Sequence, residues 1–142
     1  MENNNTETVI RRVFDAKDEE LDNVISFVED ELPANDCNLK TQLKMLIVVE
    51  EVFVNIAHYA YPESEGQAVI SMCFEGDDVA ITFEDEGVEF DPLQKEDPDI
   101  TADAEHRDIG GLGIYMTKTV MDSVSYSRVD DKNILTLRKK IH

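Results

Sequence analysis

Glu51 and Asn55 stand four residues apart, the first within and the second just after a stretch from Met45 to Val54 that is apolar but for Glu50 and Glu51. On a helix that spacing puts both side chains on one face, about a turn from each other. A carboxamide oxygen is a hard neutral donor that suits Mg²⁺, an ion that keeps several waters and takes few protein ligands beside phosphate oxygens. A carboxylate one turn away can accept the proton of an attacking water or hydroxyl, the work of a general base in phosphoryl transfer. The bland alternative has Glu51 in solvent and Asn55 as a satisfied core amide. It is weakened because both residues interrupt a helix too apolar to carry polar side chains without partners.

Two further segments complete the chemistry. Asp85 and Gly87 follow a strand-like run, where a carboxylate can accept from an exocyclic amino group and a glycine lets a ring approach the backbone. Adenine presents the matching edge, although Asp85-Glu86-Gly87 alone reads equally as a strand-ending turn. Gly110, Gly111, Leu112 and Gly113 precede a helical pattern, so bare backbone N–H groups and a positive helix end can face phosphate oxygens. Taken alone, that segment could be a hinge. The P-loop pattern GxxxxGK[ST] is absent, as is a GxGxxG after the first strand. In chain order the three segments supply a metal ligand, an adenine acceptor and a phosphate cradle, the parts of a Mg-ATP site.

The elements that must position them follow from periodicity. Thr8 to Phe14 reads as a strand, and Leu21, Val24, Ile25, Val28 and Leu32 repeat at helical spacing until Pro33. A second helix is expected from about Leu39 to His58, apolar nearly all round and buried. Ala68 to Phe74 and Val79 to Glu84 flank Gly76-Asp77-Asp78 as a hairpin, with Val79, Ile81, Phe83 and Asp85 on one strand face. From Asp91 to Asp108 periodicity vanishes among prolines and acids, which predicts a long lid-like loop. Leu112, Tyr115, Met116, Thr119 and Val120 predict a third helix. Two strands follow, about Val124 to Arg128 and Ile134 to Arg138, around an Asp-Asp-Lys-Asn turn. The expected architecture is α+β in two layers, a mixed, mainly antiparallel sheet covered on one face by three helices.

With 142 residues and 42% hydrophobic content, one core over residues 8–142 is expected behind a disordered tail at residues 1–7. The net charge of −19 argues against direct contact with nucleic acid or an anionic membrane, and makes a divalent cation part of any nucleotide site. No run reaches the about 18 apolar residues of a membrane span, so the expected compartment is the cytoplasm. Cys37 and Cys73 form no CxxC and imply no disulfide framework. His58, His106 and His142 are assigned no role.

With these segments placed, the chain resembles the GHKL (HATPase) superfamily, and within it the small anti-sigma factor serine/threonine kinases. Glu51-Val52-Phe53-Val54-Asn55-Ile56-Ala57-His58-Tyr59-Ala60-Tyr61 looks like that family's N box. Asp85-Glu86-Gly87-Val88-Glu89-Phe90-Asp91-Pro92 looks like its first glycine box, and Gly110-Gly111-Leu112-Gly113-Ile114-Tyr115 like its second. The resemblance implies the Bergerat ATP-binding fold. It also implies Glu51 as catalytic base, Asn55 as magnesium ligand, Asp85 and Gly87 as adenine contacts, and Gly110 to Gly113 as phosphate loop. Family members bind a sigma factor, or phosphorylate a serine or threonine on a small anti-sigma antagonist, often as homodimers. The chain departs from the pattern at Tyr59, where members often carry His. It departs again at Lys132-Asn133-Ile134, where many have a Gly-Thr pair before the last strand. Two other functions fit the same segments: a non-catalytic module that uses nucleotide only to gate protein binding, and a detached sensor-kinase ATPase domain. The last lacks a preceding helix with a phosphoacceptor histidine.

Overall fold

The computed structural model describes residues 8–94 and 117–142. Five strands form one sheet: β1 (Thr8–Asp15), β2 (Gln67–Glu75), β3 (Asp78–Asp85), β4 (Ser123–Val129) and β5 (Lys132–Lys140). Their order is β1-β2-β3-β5-β4, and all four ladders are antiparallel. Two long helices, α1 (Leu21–Ala34) and α2 (Leu39–Tyr59), lie on one face. Of the expected third helix, residues 117–120 are helical. Its expected start, most of the acidic loop and the N-terminal tail fall outside the described residues.

The core follows the two periodicities. Helix α1 turns Val24, Phe27, Val28 and Leu32 inward at three- and four-residue steps, and α2 does the same with Met45, Val48, Val49, Val52, Phe53 and Ile56. The strands answer at every second residue, with Ala68, Ile70, Met72 and Phe74 from β2 and Leu135 and Leu137 from β5. Helix α2 starts at an Asn38 cap, whose side-chain oxygen accepts from the Thr41 N–H at 2.9 Å. It is not buried all round as its composition suggests. Leu43 and Ile47 keep 55% and 57% of their surface exposed, because a helix lying on a sheet can bury only the stripe that faces it.

Turn chemistry sets the strand boundaries. Gly76 has φ +60° and opens a two-residue turn with Asp77, the pattern of a type II′ hairpin. At the other hairpin the structure corrects the expected four-residue turn. Asp130 and Asp131 have φ 52° and 65°, so these two residues alone make a type I′ turn, and Lys132 and Asn133 belong to β5. Asn133 is thereby paired directly opposite Asp85 of β3.

The chain leaves the sheet beside the β2–β3 turn. The Ile141 N–H donates to the Asp77 carbonyl at 2.7 Å, and the His142 ring reaches the Asn35 carbonyl through Nε2 at 2.8 Å. The bond to Asn35 is the main cause of a raised His142 pKa, with Asp77 adding to it. A group whose folded pKa is raised contributes its contact in full below its unfolded value of about 6.5, and loses it as pH rises through the folded value. The His142 Cε1–H resonance should therefore titrate above about 6.5 in the folded protein. A midpoint at or below that value would remove the tether.

Candidate functional site

Helix α2 brings Glu51 and Asn55 to the wall of a cleft. Both are half-buried, and the Asn55 Nδ2–H donates to Glu51 Oε2 at 3.2 Å. A carboxylate accepts only, so this bond fixes which end of the carboxamide faces Glu51. The Asn55 carbonyl oxygen is left as the end available to a cation.

Opposite stands the end of β3. Alternation carries Val79, Ile81, Phe83 and Asp85 onto the core face, and Asp85 is only 7% exposed. Its Oδ1 accepts from the Gly87 N–H and from Asn133 Nδ2–H, each at 2.9 Å. Among the described residues Oδ2 receives no hydrogen bond, and the carboxylate lines the cleft.

Gly87 also meets a packing need that its position in the sequence does not reveal. What approaches it is the backbone of Ala60, just past the end of α2: a Cβ at residue 87 would lie 2.2 Å from the Ala60 carbonyl oxygen. That carbonyl accepts from the Val88 N–H at 2.9 Å, which satisfies one of the last free carbonyls of the helix. The loop after β3 is thus bonded to the helix that carries Glu51 and Asn55. Tyr61 adds a second tie, accepting from the Glu86 N–H at 2.9 Å and donating to the Gln67 carbonyl at 2.6 Å. Burial is the largest cause of its raised pKa, so the phenol keeps its proton at neutral pH.

Sequence reasoning missed Asn133, which is 7% exposed and bonded on every side. Besides Asp85, its Nδ2 donates to the Val88 carbonyl at 2.8 Å, while its Oδ1 accepts from the Phe90 N–H at 3.2 Å and from the Tyr126 hydroxyl. Arg128 on β4 supports the same loop by donating from Nη1 to the Gly87 carbonyl at 2.9 Å. A signal was available in the alternation Asn133, Leu135, Leu137, which places the amide on the core face once the turn is shortened by two residues.

The cleft between these walls spans about 620 Å³ when the open solvent at its mouth is counted. Val52, Ile56, Phe83 and Leu135 make its sides apolar, Val88, Phe90 and Pro92 stand along it, and Asp85, Glu51, Asn55 and Asn133 are its acidic and amide groups. A flat heteroaromatic ring with one amino donor fits that lining. Among the described residues no cluster of three His, Cys, Asp or Glu side chains could hold a metal ion. The Asn55 carbonyl oxygen is the neutral hard donor that the cleft would offer a cation. Gly110, Gly111, Leu112 and Gly113 lie outside the described residues, so the structure brings together Glu51, Asn55, Asp85 and, through packing, Gly87.

Comparison with known proteins bears on the family and the fold. A serine-protein kinase RsbW from Bacillus cereus is 33% identical over 95 residues, covering 64% of this chain and 59% of the relative. The serine-protein kinase RsbW of Bacillus thuringiensis subsp. konkukian matches with the same identity and coverage. The chain therefore spans less than two thirds of the length of these relatives. In fold it is similar to the crystal structure of the RsbU and RsbW domains of Rv1364c from Mycobacterium tuberculosis. That match has a TM-score of 0.68 and 14% identity, and covers 94% of this chain and 32% of that one. Residues 14–139 match the family described as histidine kinase-like ATPase domain, and the chain belongs to that family.

Proposed function

We propose that this chain is an ATP-binding regulatory serine/threonine kinase of the anti-sigma factor type, which phosphorylates a small antagonist protein, sequesters a sigma factor, or does both. The observation that carries the reading is the buried Asp85 carboxylate, with one oxygen unbonded among the described residues, in an apolar cleft faced by Glu51 and Asn55. The names of the similar relatives support the kinase class.

In this reading Asp85 accepts from the exocyclic amino group of adenine, while the apolar walls exclude water from the ring. Asn55 offers its carbonyl oxygen to Mg²⁺, held in orientation by the bond it donates to Glu51. When bound, the ion offsets charge on the phosphate oxygens, which matters in a chain of net charge −19. Gly110 to Gly113 provide backbone donors to the phosphates. Glu51 accepts the proton of the attacking serine or threonine hydroxyl as that oxygen bonds to the γ-phosphorus and the bond to the β-phosphate oxygen breaks, with ADP as the leaving group. We take residues 8–142 as the domain that does this.

Calorimetric titration of the purified protein with ATP, with and without Mg²⁺, tests the reading. Binding in the micromolar range that strengthens with Mg²⁺ is expected, and incubation with a small antagonist protein should add one phosphate mass to that partner. Absence of any ATP binding would remove the kinase and the nucleotide-gated readings together.

A further inference from the structure

We propose that Asn133 is the positioning residue for base recognition, holding Asp85 so that Oδ2 alone is presented to the exocyclic amino group of the base. This rests on the reading of the cleft as an adenine-nucleotide site. Asn133 sits opposite Asp85 on the neighbouring strand, and its hydrogen-bonding groups are engaged within the protein. Asn133 lines the cleft, but its amide is spent on the protein and offers no further hydrogen bond to a ligand.

Its orientation follows from its partners. Asp85 Oδ1 and the Val88 carbonyl only accept, and the Phe90 N–H only donates, so a flipped carboxamide would face two oxygens with an oxygen. An aspartate at 133 would meet the same two acceptors with a carboxylate, and an aliphatic residue would strand Asp85 and the Phe90 N–H without partners. With Oδ1 tied to both the Gly87 N–H and Asn133, the carboxylate cannot turn about its Cβ–Cγ bond without breaking two bonds. The acceptor facing the cleft is thus set in place before any ligand enters, which favours discrimination between an amino group and a carbonyl at one ring position. The same amide ties the loop at Val88 and Phe90 to the sheet, so the wall of the cleft and its acceptor share one anchor.

The test is calorimetric titration of the full chain with Mg-ATP and with Mg-ITP, whose base carries a carbonyl where adenine has its amino group. The wild-type protein should prefer ATP. In Asn133→Ser the ATP affinity should fall about 10-fold or more while the ITP affinity falls much less, so that the ratio of the two collapses. Loss of packing alone would weaken both nucleotides together and leave the ratio intact, and that result in a variant with native circular dichroism overturns the proposal. Should Asn133→Ser fail to fold, Tyr126→Phe removes one donor to Asn133 Oδ1 and leaves the Asp85 contact. Its ATP-to-ITP ratio should drop about 2- to 3-fold, and an unchanged ratio there overturns the proposal as well. Wild-type protein that binds neither nucleotide would instead refute the nucleotide site. Wild-type binding without preference would refute Asp85 as the amino acceptor, and the role of Asn133 with it.

Discussion

Phosphoryl transfer to the antagonist protein should fall by about 10²- to 10⁴-fold in Glu51→Gln, the range associated with loss of a positioned general base. Glutamine keeps the length of the side chain and a carbonyl oxygen that can still accept from Asn55 Nδ2, so the present 3.2 Å contact has a replacement. What disappears is the capacity to take a proton. Mg-ATP affinity should therefore stay within about threefold of wild type, because the role proposed for Glu51 is on the acceptor hydroxyl rather than on the adenine ring. Transfer of labelled phosphate and calorimetric affinity, measured on the same preparation, separate the two effects. Undiminished transfer would show that Glu51 is not the base, and parallel loss of binding would show that it holds the nucleotide instead.

Gly87→Ala should destabilise the loop beside the cleft, where a single added methyl meets backbone. The added Cβ would fall 2.2 Å from the Ala60 carbonyl oxygen and 2.6 Å from the Ala60 carbonyl carbon, both backbone atoms at the end of α2. A flexible side chain could move aside, but this backbone is fixed by the Ala60 N–H bond to the Ile56 carbonyl and by the Val88 bond that it accepts. Overpacking against such a wall costs about 3 kcal/mol, the upper part of the usual range. For a chain of this size that lowers Tm by on the order of 10 °C. ATP affinity should fall too, since relief of the clash pushes the loop away from α2 and moves Asp85 from Glu51 and Asn55. Thermal unfolding followed by circular dichroism gives the first number and titration the second. A variant that melts within about two degrees of wild type would mean that the loop and helix can part at little cost.

Much of the site was legible before the fold was seen, for reasons that differ by residue. Glu51 and Asn55 could be paired because helical spacing is a local property, and Asp85 could be placed on the core face because strand alternation is one as well. Gly87 was recognised as special but for another reason, since its crowding comes from Ala60, 27 positions away in the sequence, and no local pattern encodes that approach. Asn133 was hidden by a turn. Asp-Asp-Lys-Asn is polar throughout, and composition does not say that only its first two residues adopt left-handed backbone. The exposed Leu43 and Ile47 show the complementary failure: their hydrophobicity speaks of helix but not of which side the sheet lies on.

The two left-handed aspartates at the β4–β5 hairpin also act as a ruler. A turn of two residues permits a single register between β4 and β5, in which Arg128 meets Asn133 and Tyr126 meets Leu135, and on its other edge β5 sets Asn133 opposite Asp85 of β3. One residue inserted or deleted in β5 ahead of Asn133 would bring Lys132 or Ile134 to the position opposite Asp85, because strand faces alternate at every step. A lysine there would bury a cation in the cleft, and an isoleucine would leave the carboxylate without its amide. Length variation, elsewhere the commonest change a surface hairpin absorbs, is at this end of the molecule a change in what the pocket can recognise.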